Sequence, residues 1–168
     1  MFIEQPPWLF RALYPQAILR MDPNERAVYL TFDDGPIPEV TPWVLEVLEK
    51  HHIKATFFMV GDNIRKHPDE YRMVVEHGHR IGNHTFNHIR GFEYSNPDYL
   101  ANARKVDEII HSDLFLFQEF NGTRKCILQV TIIPGLQRIM ESDDGTVACI
   151  ALHIVQYLKE EGYEFKVL

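Results

Sequence analysis

Through the first two thirds of the chain, short apolar runs bounded by turn residues alternate with stretches whose apolar positions recur at three and four residues. Arg26–Phe32 (RAVYLTF) is β-branched and aromatic and follows the turn-like Asp22-Pro23-Asn24. It predicts a buried strand, broken by Asp33-Asp34-Gly35-Pro36. Thr41-Pro42 predicts a helix start, with Thr41 as N-cap and Pro42 at the first helical position. Val44, Leu45, Val47 and Leu48 form its apolar face, and Lys50, His51 and His52 suit its negative C-terminal end. Ala55–Val60 (ATFFMV) predicts a second strand that ends at Gly61. Pro68-Asp69-Glu70 opens a second helix, carried by Tyr71, Met73, Val74 and Val75 and stopping near Gly78. A short strand over Arg80–Gly82 leads into His84. Asn96-Pro97-Asp98 opens a third helix to about His111, and a fourth strand is expected at Leu114–Phe117.

Alternation of this kind implies parallel strands joined by right-handed crossovers, which an open doubly wound sheet and a barrel both satisfy. In the last third, Cys126–Ile133 and Thr146–Leu152 read as strands, with turns at Pro134-Gly135 and Asp143-Asp144-Gly145. A helix is expected over Ala151–Glu161, a stop at Gly162 and a strand over Tyr163–Leu168. Residues 1–22 read as a separate strap ahead of a domain over 23–168. Glu4, Pro6, Pro7 and Pro15 interrupt any continuous apolar core there and no basic stretch precedes it, so no secretory signal is expected. Trp8, Leu9, Phe10 and Leu13 are expected to pack this segment across the body as a strap or short helix. A membrane-surface anchor is the alternative.

Composition narrows the class. The 168 residues are 45% hydrophobic and 24% charged, enough apolar material for a core. No apolar run approaches the roughly 18 residues that would cross a bilayer. Seventeen Lys and Arg against 24 Asp and Glu give a net charge of −7, which argues against a nucleic-acid partner. Cys126 and Cys149 cannot make a disulfide framework; one bridge and two reduced core thiols are the two readings, the second the blander.

Two clusters carry chemistry. Thr31-Phe32-Asp33-Asp34-Gly35-Pro36 lies at the C-terminal end of the first strand, where parallel α/β folds build sites. Adjacent carboxylates raise each other's pKa unless a positive charge neutralises one of them. A metal ion bound by one Asp would leave its neighbour as a base; a solvated turn is the alternative. In His84-Thr85-Phe86-Asn87-His88 the two histidines stand at i and i+4, expected on one face of a helical turn where both rings reach one ion. Two unconnected histidines are the alternative. Taken together, one carboxylate and two imidazoles make a three-ligand set with open positions, and the spare Asp fits hydrolysis. A non-haem iron oxygenase using the same ligand types fits less well, because the extra Asp33 has no role there.

TFDDGP at Thr31–Pro36 and HTFNH at His84–His88 resemble the first two motifs of the polysaccharide deacetylases, the NodB-homology group (carbohydrate esterase family 4). Lys54–Gly61 (KATFFMVG), Gly78–His84 (GHRIGNH) and Gly162–Leu168 (GYEFKVL) are similar to its second strand, its approach to the histidine motif and its closing strand. The resemblance implies an irregular (β/α) barrel. It implies Asp33 as general base and Asp34, His84 and His88 as ligands of one divalent ion, zinc first, with cobalt, manganese or nickel as alternatives. It further implies an acetylated oligo- or polysaccharide substrate, peptidoglycan or chitin-like. Cytoplasm is the default location without an export signal, and the substrate class suggests the cell envelope.

The likeness runs from about residue 24 to 115 and returns from about 146 to 168. Where the family's third motif, Arg-Pro-Pro-Tyr-Gly, is expected, Leu116-Phe117-Gln118-Glu119 stands instead. Arg124 is the nearest later arginine. His153 fits the last motif's Leu-x-Leu-His pattern but reads as a helix residue, and His111 reads as a helix C-terminal residue. A complete (β/α)₈ barrel takes about 200 to 250 residues, so the barrel is expected to be incomplete. Leu116–Gly145 is expected to be a replaced or deleted segment, from an altered reading frame or a gene-model error. The leading reading is a metal-dependent glycan deacetylase; the alternative is a catalytically impaired member that binds metal and carbohydrate.

Overall fold

Thr56-Phe57-Phe58-Met59 is apolar or β-branched at every position and buried at every position, as a central strand covered on both faces requires. The computed structural model describes residues 8–13, 24, 26–114 and 155–168. In chain order these form α1 (Trp8–Leu13), β1 (Ala27–Tyr29), β2 (Thr31–Asp33), α2 (Thr41–Lys50), β3 (Thr56–Met59), α3 (Gly61–Lys66), α4 (Pro68–Glu76), β4 (Arg80–Asn83), α5 (Asn96–Leu114) and β5 (Glu164–Lys166). Residues 155–160 are also helical. β2, β3 and β4 make a parallel three-stranded sheet in that order, and β1 pairs with β5 in a two-stranded sheet. Asp33 registers with Phe58, and Met59 with Asn83, so the C-terminal ends of all three parallel strands lie side by side.

Two compact units are distinguished: Met1–Val28 with Gly122–Glu164, and Tyr29–Asn121 with Phe165–Leu168. In the first, Gly162 (φ +80°) ends the helical residues 155–160 in a left-handed cap, with Tyr163 N–H donating to the Leu158 carbonyl at 2.9 Å. The Arg26 guanidinium donates to the Glu161 carbonyl at 2.7 Å and lies 5.8 Å from the centre of the Tyr163 ring. Leu9 and Leu13 of α1 are 51% and 63% exposed.

In the second unit, α2 contributes Val44, Leu45 and Leu48 and α4 contributes Tyr71 and Val74 to the core around β3. Val106 of α5 is fully buried. The helix stops follow local chemistry. Gly78 (φ +69°) closes α4 as expected, with His79 N–H reaching the Val74 carbonyl. His52 (φ +53°) closes α2 in the same way, Ile53 N–H donating to the Leu48 carbonyl at 2.9 Å.

Four expectations change. The strand expected over Arg26–Phe32 divides at Leu30, whose carbonyl already accepts from Thr56 N–H at 3.0 Å. Val40, not Thr41, is the N-cap of α2; the Thr41 hydroxyl instead accepts the Ile37 N–H at 2.9 Å, bracing the turn before the helix. α3 follows β3 directly, held by Asp62 pairing with Arg65 at 2.8 Å and Lys66 at 2.6 Å. Leu114 belongs to α5 rather than to a fourth strand, because nothing between Asp98 and Leu114 breaks the helix. Residues 115–117, the strands expected at Cys126–Ile133 and Thr146–Leu152, and the segment Leu116–Gly145 lie outside the described residues. No helix among the described residues is long and apolar enough to cross a membrane.

Candidate metal centre

β2 delivers Asp33 and Asp34 to the C-terminal edge of the parallel sheet. Asp34 takes a left-handed backbone (φ +67°), which a non-glycine residue adopts at some cost. Two bonds hold that turn: Asn63 of α3 donates its amide to the Asp34 carbonyl at 2.7 Å, and Val60 N–H donates to the Gly35 carbonyl at 3.0 Å. The neighbouring Asp33, last in β2, has one carboxylate oxygen, Oδ1, buried.

β4 delivers the histidines. His84 N–H donates to the Met59 carbonyl at 3.0 Å, continuing the ladder one residue past the strand. Beyond it the chain is a loop and not the helical turn expected of the i, i+4 spacing. Thr85 (φ +63°) and His88 (φ +53°) both lie in the left-handed region. For a buried β-branched residue such as Thr85 this costs on the order of 1–3 kcal/mol and persists only where the surroundings impose it. The surroundings do so from three sides. Gly61 and Asp62 N–H groups at the start of α3 donate to the Thr85 and Phe86 carbonyls at 3.1 and 2.9 Å. Asn83 Oδ1 accepts from Thr85 N–H at 2.8 Å, while its amide donates to the Ala103 carbonyl and to Asp107 Oδ1, both at 2.7 Å. The Thr85 hydroxyl accepts Ile89 N–H at 3.0 Å. Gly61 is required for this approach, since a Cβ there would stand 2.5 Å from Phe86 Cδ2 and 2.8 Å from Val106 Cγ2.

The result is a convergence. His84 Nε2 and His88 Nε2 lie 3.0 and 3.1 Å from Asp34 Oδ1, and the imidazole centres are 4.9 Å apart. One donor atom from each of the three residues lies within 4.8 Å of the others. Ligands on a tetrahedral zinc at about 2.0–2.2 Å from the ion stand roughly 3.4 Å from one another. The donor set therefore fits one divalent ion: a carboxylate and two imidazoles of the type zinc and its neighbours prefer, with coordination positions to spare. The hydrogen bond from His84 is the largest influence on Asp34 and holds its carboxyl below the usual pKa. Partial burial works the other way, and the charges of His88 and His84 lower it further. His84 is mostly shielded, whereas Asp34 and His88 are half exposed. They open on a cleft of about 370 Å³ lined by Asp34, Val60, Asp62, Asn63, Asn87 and His88.

The structure thus brings Asp34, His84 and His88 together, with Asp33 adjacent in the chain. Arg124 and His153 lie outside the described residues, and His111 falls in the last turn of α5. Sequence reasoning passed over Asn63, Asn83 and Asn102, which hold the turns that carry Asp34 and the two histidines. Asn83 precedes His84 directly and had at least that signal; Asn63 and Asn102 had none.

A sheet edge carrying a carboxylate and two imidazoles around an open position makes a candidate metal centre in a parallel α/β fold. The polysaccharide deacetylase family model matches residues 20–114, more than half of the chain, and the chain belongs to that family. Over 97 residues it is 47% identical to a peptidoglycan-N-acetylglucosamine deacetylase of Bacillus cereus, covering 58% of this chain and 40% of that protein. It is 48% identical over 65 residues to a chitooligosaccharide deacetylase of Rhizobium leguminosarum bv. trifolii, covering 39% of this chain and 30% of that one. The chain thus spans well under half the length of these relatives. A solved peptidoglycan N-acetylglucosamine deacetylase superposes with a TM-score of 0.71 at 26% identity, covering 86% of this chain and 87% of that one. The fold is accordingly the irregular (β/α) barrel of this family, of which the described strands form an incomplete part.

Proposed function

We propose that this protein is a divalent-metal-dependent hydrolase that removes acetyl groups from N-acetylated glycans of the peptidoglycan or chitin type. The observation that carries the reading is the convergence of Asp34, His84 and His88 on one point, with Asp33 next to Asp34 in the chain. Its support is membership of the deacetylase family and the substrates named for its relatives.

In this reading Asp34 Oδ1 and the Nε2 atoms of His84 and His88 hold the ion, zinc in the first instance. Bound there, the ion would supply Lewis-acid polarisation of the acetamide carbonyl and electrostatic stabilisation of the tetrahedral oxyanion. Asp33 accepts the proton of the attacking water. The water oxygen bonds to the acetyl carbon, the C–N bond breaks with its electron pair passing to nitrogen, and the nitrogen takes up a proton. The products are acetate and a free amino sugar. The pinned turn at Asp34 and the clamped loop at His84–His88 set the three ligands before substrate arrives, so little reorganisation is left to the reaction.

Acetate release from an acetylated chito-oligosaccharide tests this. Wild type should release acetate, and Asp33→Asn should lose 10²–10⁴-fold, the usual contribution of a general base. A second reading, a metal- and glycan-binding module without turnover, is favoured by Leu116-Phe117-Gln118-Glu119 standing where the family's third motif is expected. Metal bound with no acetate released would select it.

A further inference from the structure

The geometry points to Asn102, on α5, as a positioning residue that sets the affinity of the metal centre by fixing the loop between its two histidines. This inference rests on the reading of Asp34, His84 and His88 as ligands. Asn102 Oδ1 accepts two consecutive backbone N–H groups, Phe86 at 2.7 Å and Asn87 at 3.1 Å. Its amide nitrogen donates to Asn87 Oδ1 at 2.9 Å. Only an oxygen can accept from two N–H groups at once, so these partners fix which way the amide faces.

The two N–H groups belong to the residues between Thr85 and His88, the two positions with left-handed backbones. Asn102 therefore grips the loop between its two left-handed residues, from a helix 15 and 16 positions further along the chain. α5 is itself anchored: Val106, one turn on, is fully buried, and Asn83 ties β4 to Ala103 and Asp107. Residues that orient ligands without touching the metal commonly change metal affinity by about 10- to 100-fold when removed. Asn102 stands one step back from His88 in this way, through the backbone rather than through the ring.

The experiment is zinc binding to the full chain by competition with a chromophoric chelator, with thermal unfolding of the metal-free protein measured alongside. Asn102→Ala should weaken zinc about 10- to 100-fold at a temperature where the metal-free variant is still folded. Asn102→Asp keeps an oxygen for both N–H groups, and Asn87 can turn its own amide to donate, so affinity should return to within about threefold of wild type. Asn87→Ala, at an exposed position, removes the acceptor that orients Asn102 and gives an arm that does not threaten folding; about fivefold weaker binding is expected. A purely structural role would lower the metal-free melting temperature and leave zinc affinity alone. Unchanged affinity in Asn102→Ala and Asn87→Ala, or an Asp variant as weak as the Ala variant, overturns the inference. Wild type that binds no zinc overturns the ligand assignment itself.

Discussion

His79 sits at the opposite end of β4 from the metal centre, and its protonation should cost the fold a measurable part of its stability. The residue is 8% exposed, its ring tilted against Phe57 at 5.2 Å and stacked at 6.5 Å from His77. Its Nδ1 accepts the Ala55 N–H at 3.2 Å, so a proton on Nδ1 would meet a donor and break that bond. Glu49, Lys54, Glu76 and His77 line the same small cleft. Burial is the main force lowering the His79 pKa, and the charges of Lys54 and His77 add to it, bringing it down from 6.5 to about 4. Between these values the unfolded chain holds a proton that the folded chain refuses. The folded state is therefore fully favoured above pH 6.5, loses ground as the pH falls, and stops losing it below about 4. A shift of this size corresponds to about 2–3 kcal/mol between pH 7 and pH 4.5. Urea unfolding at the two pH values measures it. Asn at position 79 keeps an oxygen near Nδ1 without the titration, so His79→Asn should show a smaller acid loss than wild type by about that amount. Equal acid losses in the two proteins would refute the argument, since every other histidine is common to both.

Two further substitutions probe how the site is held. Gly61→Ala drives a Cβ into Phe86 and Val106; the expected loss is about 1–3 kcal/mol in urea unfolding, with weaker zinc binding because Phe86 lies in the histidine loop. Asn63→Ala removes the donor to the Asp34 carbonyl, and about 1 kcal/mol of lost positioning should appear as roughly fivefold weaker zinc in a chelator competition.

The sequence showed the alternation of strands and helices because each element signals it locally: the all-apolar run at Thr56–Met59, the proline starts of α2 and α4, the glycine stops at Gly78 and Gly162. It also showed the candidate ligand types, since TFDDGP and HTFNH place carboxylates and imidazoles at strand ends. What it could not show is how the histidines meet. The i, i+4 spacing suggested a helical turn, yet the loop adopts left-handed backbone at Thr85 and His88 because Asn83, Asn102 and the start of α3 impose it. Those partners are remote in sequence and follow no periodicity. The division at Leu30 has a similar origin: it marks where pairing passes to β3, which a uniform apolar run does not announce. α3 was missed because Gly61 reads as a stop, although here it opens a helix whose close approach only a glycine permits.

The central claim is that Asp34, His84 and His88 together hold one divalent ion. Zinc stoichiometry after dialysis tests it most directly, in wild type and in Asp34→Ala, His84→Ala and His88→Ala. The account predicts one tightly held zinc per wild-type chain, with loss in each variant, while the metal-free proteins remain folded. Equal zinc in all four proteins, or none in folded wild type, would contradict it.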